Sequence, residues 1–132
     1  VRFPTADAIV DLHAEILAKT GGHAGVLNLG TVESAVERAR WGPFPRPPDL
    51  FDRAAFLLRG VCQDHPFADG NKRTAFEATD LFLRLNGRRL LAKPAATVAF
   101  MLAVAQADLS LEDVAAWLRT HAKDYRATEG MQ

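Results

Sequence analysis

Nine consecutive residues, His65-Pro66-Phe67-Ala68-Asp69-Gly70-Asn71-Lys72-Arg73, hold the densest set of reactive groups in the chain. A strongly helical stretch follows directly. The first N–H groups of a helix lack internal partners, and the helix dipole is positive there, so this junction favours phosphate. Gly70 permits a sharp turn that brings backbone amides close to an anion. Lys72 and Arg73 add positive charge at the same point. Asp69 supplies a hard oxygen ligand of the kind that holds Mg²⁺ beside nucleotide phosphates. His65, with an ordinary pKa near 6.5, suits removal of a proton from a hydroxyl. An anion cradle, a metal ligand and a base together point to phosphoryl or nucleotidyl transfer.

The elements that must position this string read as helices. Thr5 caps a first helix with Asp7 in its opening turn; Ile9, Leu12, Ile16 and Leu17 recur at helical spacing, and Gly21-Gly22 ends it. Gly21 to Gly30 reads as a loop, and Thr31 to Arg40 as a short helix. Four prolines between Trp41 and Pro48 forbid a helix there. This 41–50 stretch reads as a rigid connector, with a flap that clamps a target by strand-like pairing as its sharper alternative. Asp49 caps the next helix, striped by Ala54, Leu57, Leu58 and Val61 and stopping before Pro66. Lys72 to Leu85 is apolar on most sides, which makes it central. Asn86-Gly87 ends it, Pro94 opens another helix at its first position, and Ser110 with Asp113 forms a capping box for the last. Only Arg89–Ala92 hints at a strand. The expected fold is one all-α domain over 1–132 of about six helices, with a core over about 3–122 and a frayed tail over 123–132.

Composition narrows the function classes. Sixteen basic residues balance sixteen acidic ones, so the chain lacks the basic excess of a general nucleic-acid binder. The single cysteine, Cys62, allows no internal disulfide and no cysteine-rich zinc site. No apolar run reaches the length of a membrane span, and the first residues lack a signal-peptide core. The expectation is a cytoplasmic protein without direct contact to nucleic acid or membrane.

The nine-residue string resembles the core motif of the Fic/Doc family: a histidine, an apolar turn, an acidic residue, Gly-Asn, then basic residues. His65, Phe67, Asp69, Gly70, Asn71 and Arg73 carry the match, which extends over roughly residues 3 to 120. The continuation TAFEATDLFLRLNG and the stretch GGHAGVLNLGTVESAV are similar in style to the death-on-curing toxin branch. Two departures from the adenylyltransferase pattern point the same way. Lys72 stands where those enzymes usually carry Gly, and Phe76 stands where they carry a second arginine. A lysine stem crowds backbone approach to a phosphate, and a phenyl ring cannot bind an anion.

The resemblance implies ATP and Mg²⁺ as cofactors, with the nucleotide bound in reverse and its γ-phosphoryl passed to a threonine of a target protein. The implied target is elongation factor Tu, so translation stalls. By the same resemblance His65 is the general base, and Asp69 holds Mg²⁺ or orients the hydroxyl. Gly70 and Asn71 shape the cradle, Lys72 and Arg73 neutralise phosphate charge, and Phe67 anchors the loop. The chain contains no inhibitory Ser/Thr-x-x-x-Glu-Gly/Asn string. Restraint is therefore expected from an antitoxin whose disordered C-terminal segment folds into a groove beside the motif. Protein adenylyltransfer on the same scaffold and a catalytically silent binding module are the competing readings.

Several polar residues have plainer readings. His13 lies among Ile9, Leu12 and Ile16 and reads as a hydrogen-bonded, partly buried histidine. His23 and His121 read as loop and surface residues, and Cys62 as inert core. Arg84, Arg88 and Arg89 read as a solvated helix end.

Overall fold

The computed structural model describes residues 1–126; Ala127 onward, the far part of the expected tail, lies outside them. Six helices occur among the described residues: α1 (Ala6–Thr20), α2 (Leu29–Trp41), α3 (Leu50–Gln63), α4 (Asn71–Leu85), α5 (Pro94–Ala105) and α6 (Leu111–His121). A three-residue antiparallel pair joins β1 (Arg88–Leu90) to β2 (Ala122–Asp124), with Arg88 opposite Asp124 and Leu90 opposite Ala122.

Helix starts follow from side-chain oxygens that satisfy orphan N–H groups. The Thr5 hydroxyl accepts from Ala8 N–H, Asp49 and Asp52 form a reciprocal capping box, and Ser110 and Asp113 form another. Pro94 opens α5, where its missing N–H costs nothing. The second helix begins earlier than its apolar pattern suggests. Asn28 caps it by accepting from Thr31 N–H, so the glycine-rich loop runs only from 21 to 28.

Packing centres on α3 and α4. Helix α3 buries Phe51, Leu57, Leu58 and Val61 against α2, α4 and α6. Gly60 is what lets α2 approach: a Cβ there would lie 2.8 Å from the Ala35 Cβ. Helix α4 follows the motif loop and buries Ala75, Ala78, Phe82 and Leu83 on the α3 side. Its first turn leaves Lys72 and Arg73 exposed. Cys62 is fully buried on α3, and burial pushes its thiol above the ordinary range.

The N-terminal segment and the residues after α6 meet the far end of α4. The Asn86 amide caps Phe82 O and also brackets the Arg2 backbone, while Tyr125 N–H donates to Gly87 O. Residues 123–124, expected to fray, are thus part of a strand. Lys123 and Asp124 pair with Arg89 and Arg88, and the Arg88–Asp124 ion pair spans 3.6 Å. The strand hint also shifts, from 89–92 to 88–90. Asp80 holds this corner, since its carboxylate pairs with Arg84 at 3.0 Å and accepts from Leu90 N–H at 2.8 Å. The arginine group is thus a largely neutralised helix end. Among the described residues no helix is long and apolar enough to cross a membrane.

Candidate active site

The motif forms the turn from α3 into α4. Asp64 closes α3 by donating its N–H to Gly60 O. The next residue, His65, has φ +48, a left-handed conformation that L residues seldom adopt. Its side chain is exposed and has no hydrogen-bond partner among the described residues. Pro66 and Phe67 then turn inward; Phe67 is 1% exposed and is the loop's apolar anchor. Asn71 clamps the turn from the other side. Its amide oxygen accepts from Phe67 N–H at 3.1 Å, and its amide nitrogen donates to Phe67 O at 3.0 Å. The Asn71 side chain is thereby spent on shape, and what it offers a ligand is its backbone N–H.

Gly70 is the N-cap of α4 in the left-handed region, φ +78, and no side chain caps this helix. The first intrahelical bond is Thr74 N–H to Gly70 O at 2.9 Å. The N–H groups of Asn71, Lys72 and Arg73 therefore remain as orphan donors, beside two cationic side chains that form no ion pair among the described residues. Positive potential, three converging donors and an exposed imidazole follow one another within nine residues.

Helix α1 carries this turn. His13 is 3% exposed, and its ring stacks on Phe67 with centroids 3.9 Å apart and planes at 7°. Its Nε2 lies 2.8 Å from Asp69 O, which makes that nitrogen the donor. The sequence reading of His13 as a hydrogen-bonded, partly buried histidine agrees with this environment, where burial is almost complete. The partner, however, is the motif itself, 56 residues away in the chain.

The 21–28 loop covers the motif's other side. Val26 and Phe67 form an isolated antiparallel bridge, Ala68 N–H donates to Gly25 O, and Pro66 O accepts from Leu27 and Asn28 N–H. Asp69 completes the link, its carboxylate accepting from His23 N–H at 3.2 Å and Gly70 N–H at 2.8 Å. Those two bonds, the His23 one foremost, hold the carboxyl below its ordinary range. Gly22 makes the approach possible, because a Cβ there would lie 2.8 Å from Asp69 Oδ2. Leu27 and Val26 remain exposed on the outer side of the bridge.

The flap reading of 41–50 is thus overturned. That segment leads into the N-terminus of α3, whereas the motif follows its C-terminus, about 20 Å away along a 14-residue helix. The strand-like edge next to the motif belongs to 21–28. The run GGHAG was the available signal: closely spaced glycines mark backbone that must pass close to something.

For a metal, the described residues hold no cluster of three or more potential ligands. Asp69 is nevertheless exposed, favoured as the anion, and retains lone pairs. It fits a Mg²⁺ ion that takes the rest of its shell from phosphate and water. Because its folded pKa is depressed, its loop-holding bonds persist above the ordinary carboxylate range and fail only as pH falls through the folded pKa. Hydrogen exchange at His23 N–H should stay protected from neutral pH through the ordinary carboxylate range and lose protection only at more acidic pH. Asp69→Ala should remove the protection at every pH.

The sequence profile of the Fic/DOC family matches residues 3–83, well over half of the chain. The chain belongs to the Fic/DOC family. Among curated proteins it is 37% identical over 102 residues to a protein named Toxin Doc from Mycolicibacterium smegmatis, covering 74% of this chain and 78% of that one. It is 29% identical over 120 residues to Protein kinase doc of Escherichia phage P1, covering 90% and 94%. The matched span contains α1, the 21–28 loop and the whole motif, so the Fic/DOC likeness and the candidate site coincide.

Proposed function

We propose that the chain is the toxin of a toxin–antitoxin pair and acts as a protein kinase, passing the γ-phosphoryl of ATP to a threonine of a translation factor, elongation factor Tu. The observation that carries this is the uncapped start of α4, three orphan N–H groups flanked by Lys72 and Arg73, which form no ion pair among the described residues, directly after an exposed His65 held at φ +48. The names of the two relatives, a toxin and a kinase, support the same reading.

In this mechanism His65 takes the proton from the threonine hydroxyl. The hydroxyl oxygen bonds to the γ-phosphorus, the bond from that phosphorus to the β-bridging oxygen breaks, and ADP leaves. The orphan amides, Lys72 and Arg73 stabilise the charge that redistributes over the phosphoryl oxygens. Asp69 would hold Mg²⁺, which when bound offsets phosphate charge. The exposed Val26–Leu27 edge offers main-chain pairing to an extended target segment. Restraint comes from an antitoxin segment that folds into the groove between α1 and α4, about 230 Å³ and walled by Leu12, Ile16 and Arg73.

Gly70 favours a second reading. A glycine N-cap leaves the closest possible backbone approach to a phosphate, as AMP transfer uses it. The two reactions separate in one experiment, incubation of the protein with elongation factor Tu and ATP labelled at the γ- or the α-phosphorus. Label from γ-ATP alone is the expected result, with one phosphate on a threonine by mass spectrometry. Label from α-ATP would establish AMP transfer.

A further inference from the structure

The stack of His13 on Phe67 fixes the plane in which its Nε2 points, and that nitrogen carries a proton toward Asp69 O. The Asp69–Gly70 peptide is trans. In a trans peptide the C=O and the N–H point in opposite directions. With Asp69 O drawn to α1, Gly70 N–H points away from α1. There it donates to the exposed Asp69 Oδ1 at 2.8 Å, next to the orphan N–H groups that open α4.

The turn's own residues hold this orientation weakly. Gly70 sits at φ +78, and turning the peptide over would carry it to negative φ, which glycine adopts about as readily. The bond from Gly70 N–H to Asp69 Oδ1 uses the same carboxylate that the proposed reaction needs for Mg²⁺. A reversed peptide would aim a carbonyl oxygen at the cradle, and a carbonyl repels phosphate. The His13 ring lies directly under this peptide: a Cβ built on Gly70 would be 3.8 Å from Nε2. Its tautomer decides between the two states. With the proton on Nε2 the ring holds a carbonyl. With Nε2 bare it would accept an N–H, and the reversed peptide supplies one.

We infer that His13 is a positioning residue for the phosphate cradle: its Nε2–H locks the Asp69–Gly70 peptide with the N–H turned outward, so that Gly70 N–H joins the orphan donors of Asn71, Lys72 and Arg73. It touches neither phosphate nor acceptor and acts through the Asp69 carbonyl. This rests on the phosphate reading given above and adds to it a residue of another helix, 56 positions away in the chain.

The test compares the wild-type chain with His13→Phe and His13→Gln. Phenylalanine keeps the stack on Phe67 and removes the donor. Glutamine loses the ring and still donates from its amide nitrogen. One readout is the nuclear Overhauser effect between Asp69 Hα and Gly70 N–H, whose intensity changes when the peptide turns over. The other is affinity for inorganic pyrophosphate by titration calorimetry. The wild type and His13→Gln should share one Overhauser pattern and bind pyrophosphate within about threefold of each other. His13→Phe should change the pattern and bind about 10–100-fold more weakly, the loss of one hydrogen bond to a charged group. A histidine that only fills space predicts the reverse, rescue by phenylalanine and failure of glutamine, and that result would overturn the lock. So would a wild-type imidazole protonated on Nδ1 alone, read from its ring nitrogen shifts, a measurement that requires no variant to fold. Failure of the wild type to bind pyrophosphate would overturn the phosphate reading instead, while the Overhauser effect would still report whether His13 sets the peptide.

Discussion

His65→Ala should lower phosphate transfer to elongation factor Tu by about 10²–10⁴-fold, the usual contribution of a positioned general base. Steady-state labelling with γ-labelled ATP checks it, and calorimetric binding of ADP should change little because the role proposed for the imidazole is at the acceptor hydroxyl. The backbone supplies a second readout. His65 lies at φ +48, where a Cβ is penalised and glycine is not. His65→Gly should therefore be as inactive as His65→Ala yet more stable than it, by about 1 kcal/mol in a denaturant titration. Strain kept at an exposed polar residue is what a reactive position requires and a structural one does not. Full activity in either variant would remove His65 from the reaction, and equal stability of the two would remove the strain argument.

Phe67→Ala should have the largest effect on the fold, a loss of about 3–5 kcal/mol. Domains of this size are stable by about 5–15 kcal/mol, so much of the total is at stake. Phe67 is 1% exposed, stacks on His13 and pairs its backbone with Asn71 and Val26, so truncation opens a cavity where α1, the 21–28 loop and the motif meet. Phe67→Leu should recover most of that loss and leave a deficit of about 1 kcal/mol for the missing ring stack. Urea midpoints measure both. A deficit below 1 kcal/mol in Phe67→Ala would mean that the loop is held by Asn71 and Asp69 alone.

The parts of this molecule legible in the sequence are those governed by local chemistry. Thr5, Asp49, Pro94 and Ser110 start helices because their own side chains or rings act within three residues. The motif residues lie within nine positions, so one loop and one helix start bring them together. What escaped the reading is tertiary. His13 meets Asp69 across 56 residues, and nothing near it in the chain announces that partner. The 21–28 loop was legible as a loop, but its pairing with Pro66, Phe67 and Ala68 depends on Gly22 and Gly25 passing close to backbone that only the fold supplies. Of the β1–β2 pair only β1 was hinted at; β2 escaped because three residues are too few to display alternation, and the register depends on Asp80 and the end of α6. The flap alternative for 41–50 failed for a related reason: proline content reports stiffness, and stiffness does not say which end of α3 a segment faces.

Cys62 gives the molecule an internal clock. It is the chain's single thiol, it is fully buried near the C-terminal end of α3, and burial keeps it protonated. Alkylation of the folded chain is therefore blocked twice, by access and by the scarcity of thiolate. Every modified molecule records an excursion in which α3 parted from its neighbours, and no second cysteine blurs the count. Labelling rates with and without ADP, or beside an antitoxin, would read how far each occupant suppresses opening of the helix that leads into the motif. The residue that contributes nothing to the chemistry is thus the one that can time the scaffold beneath it.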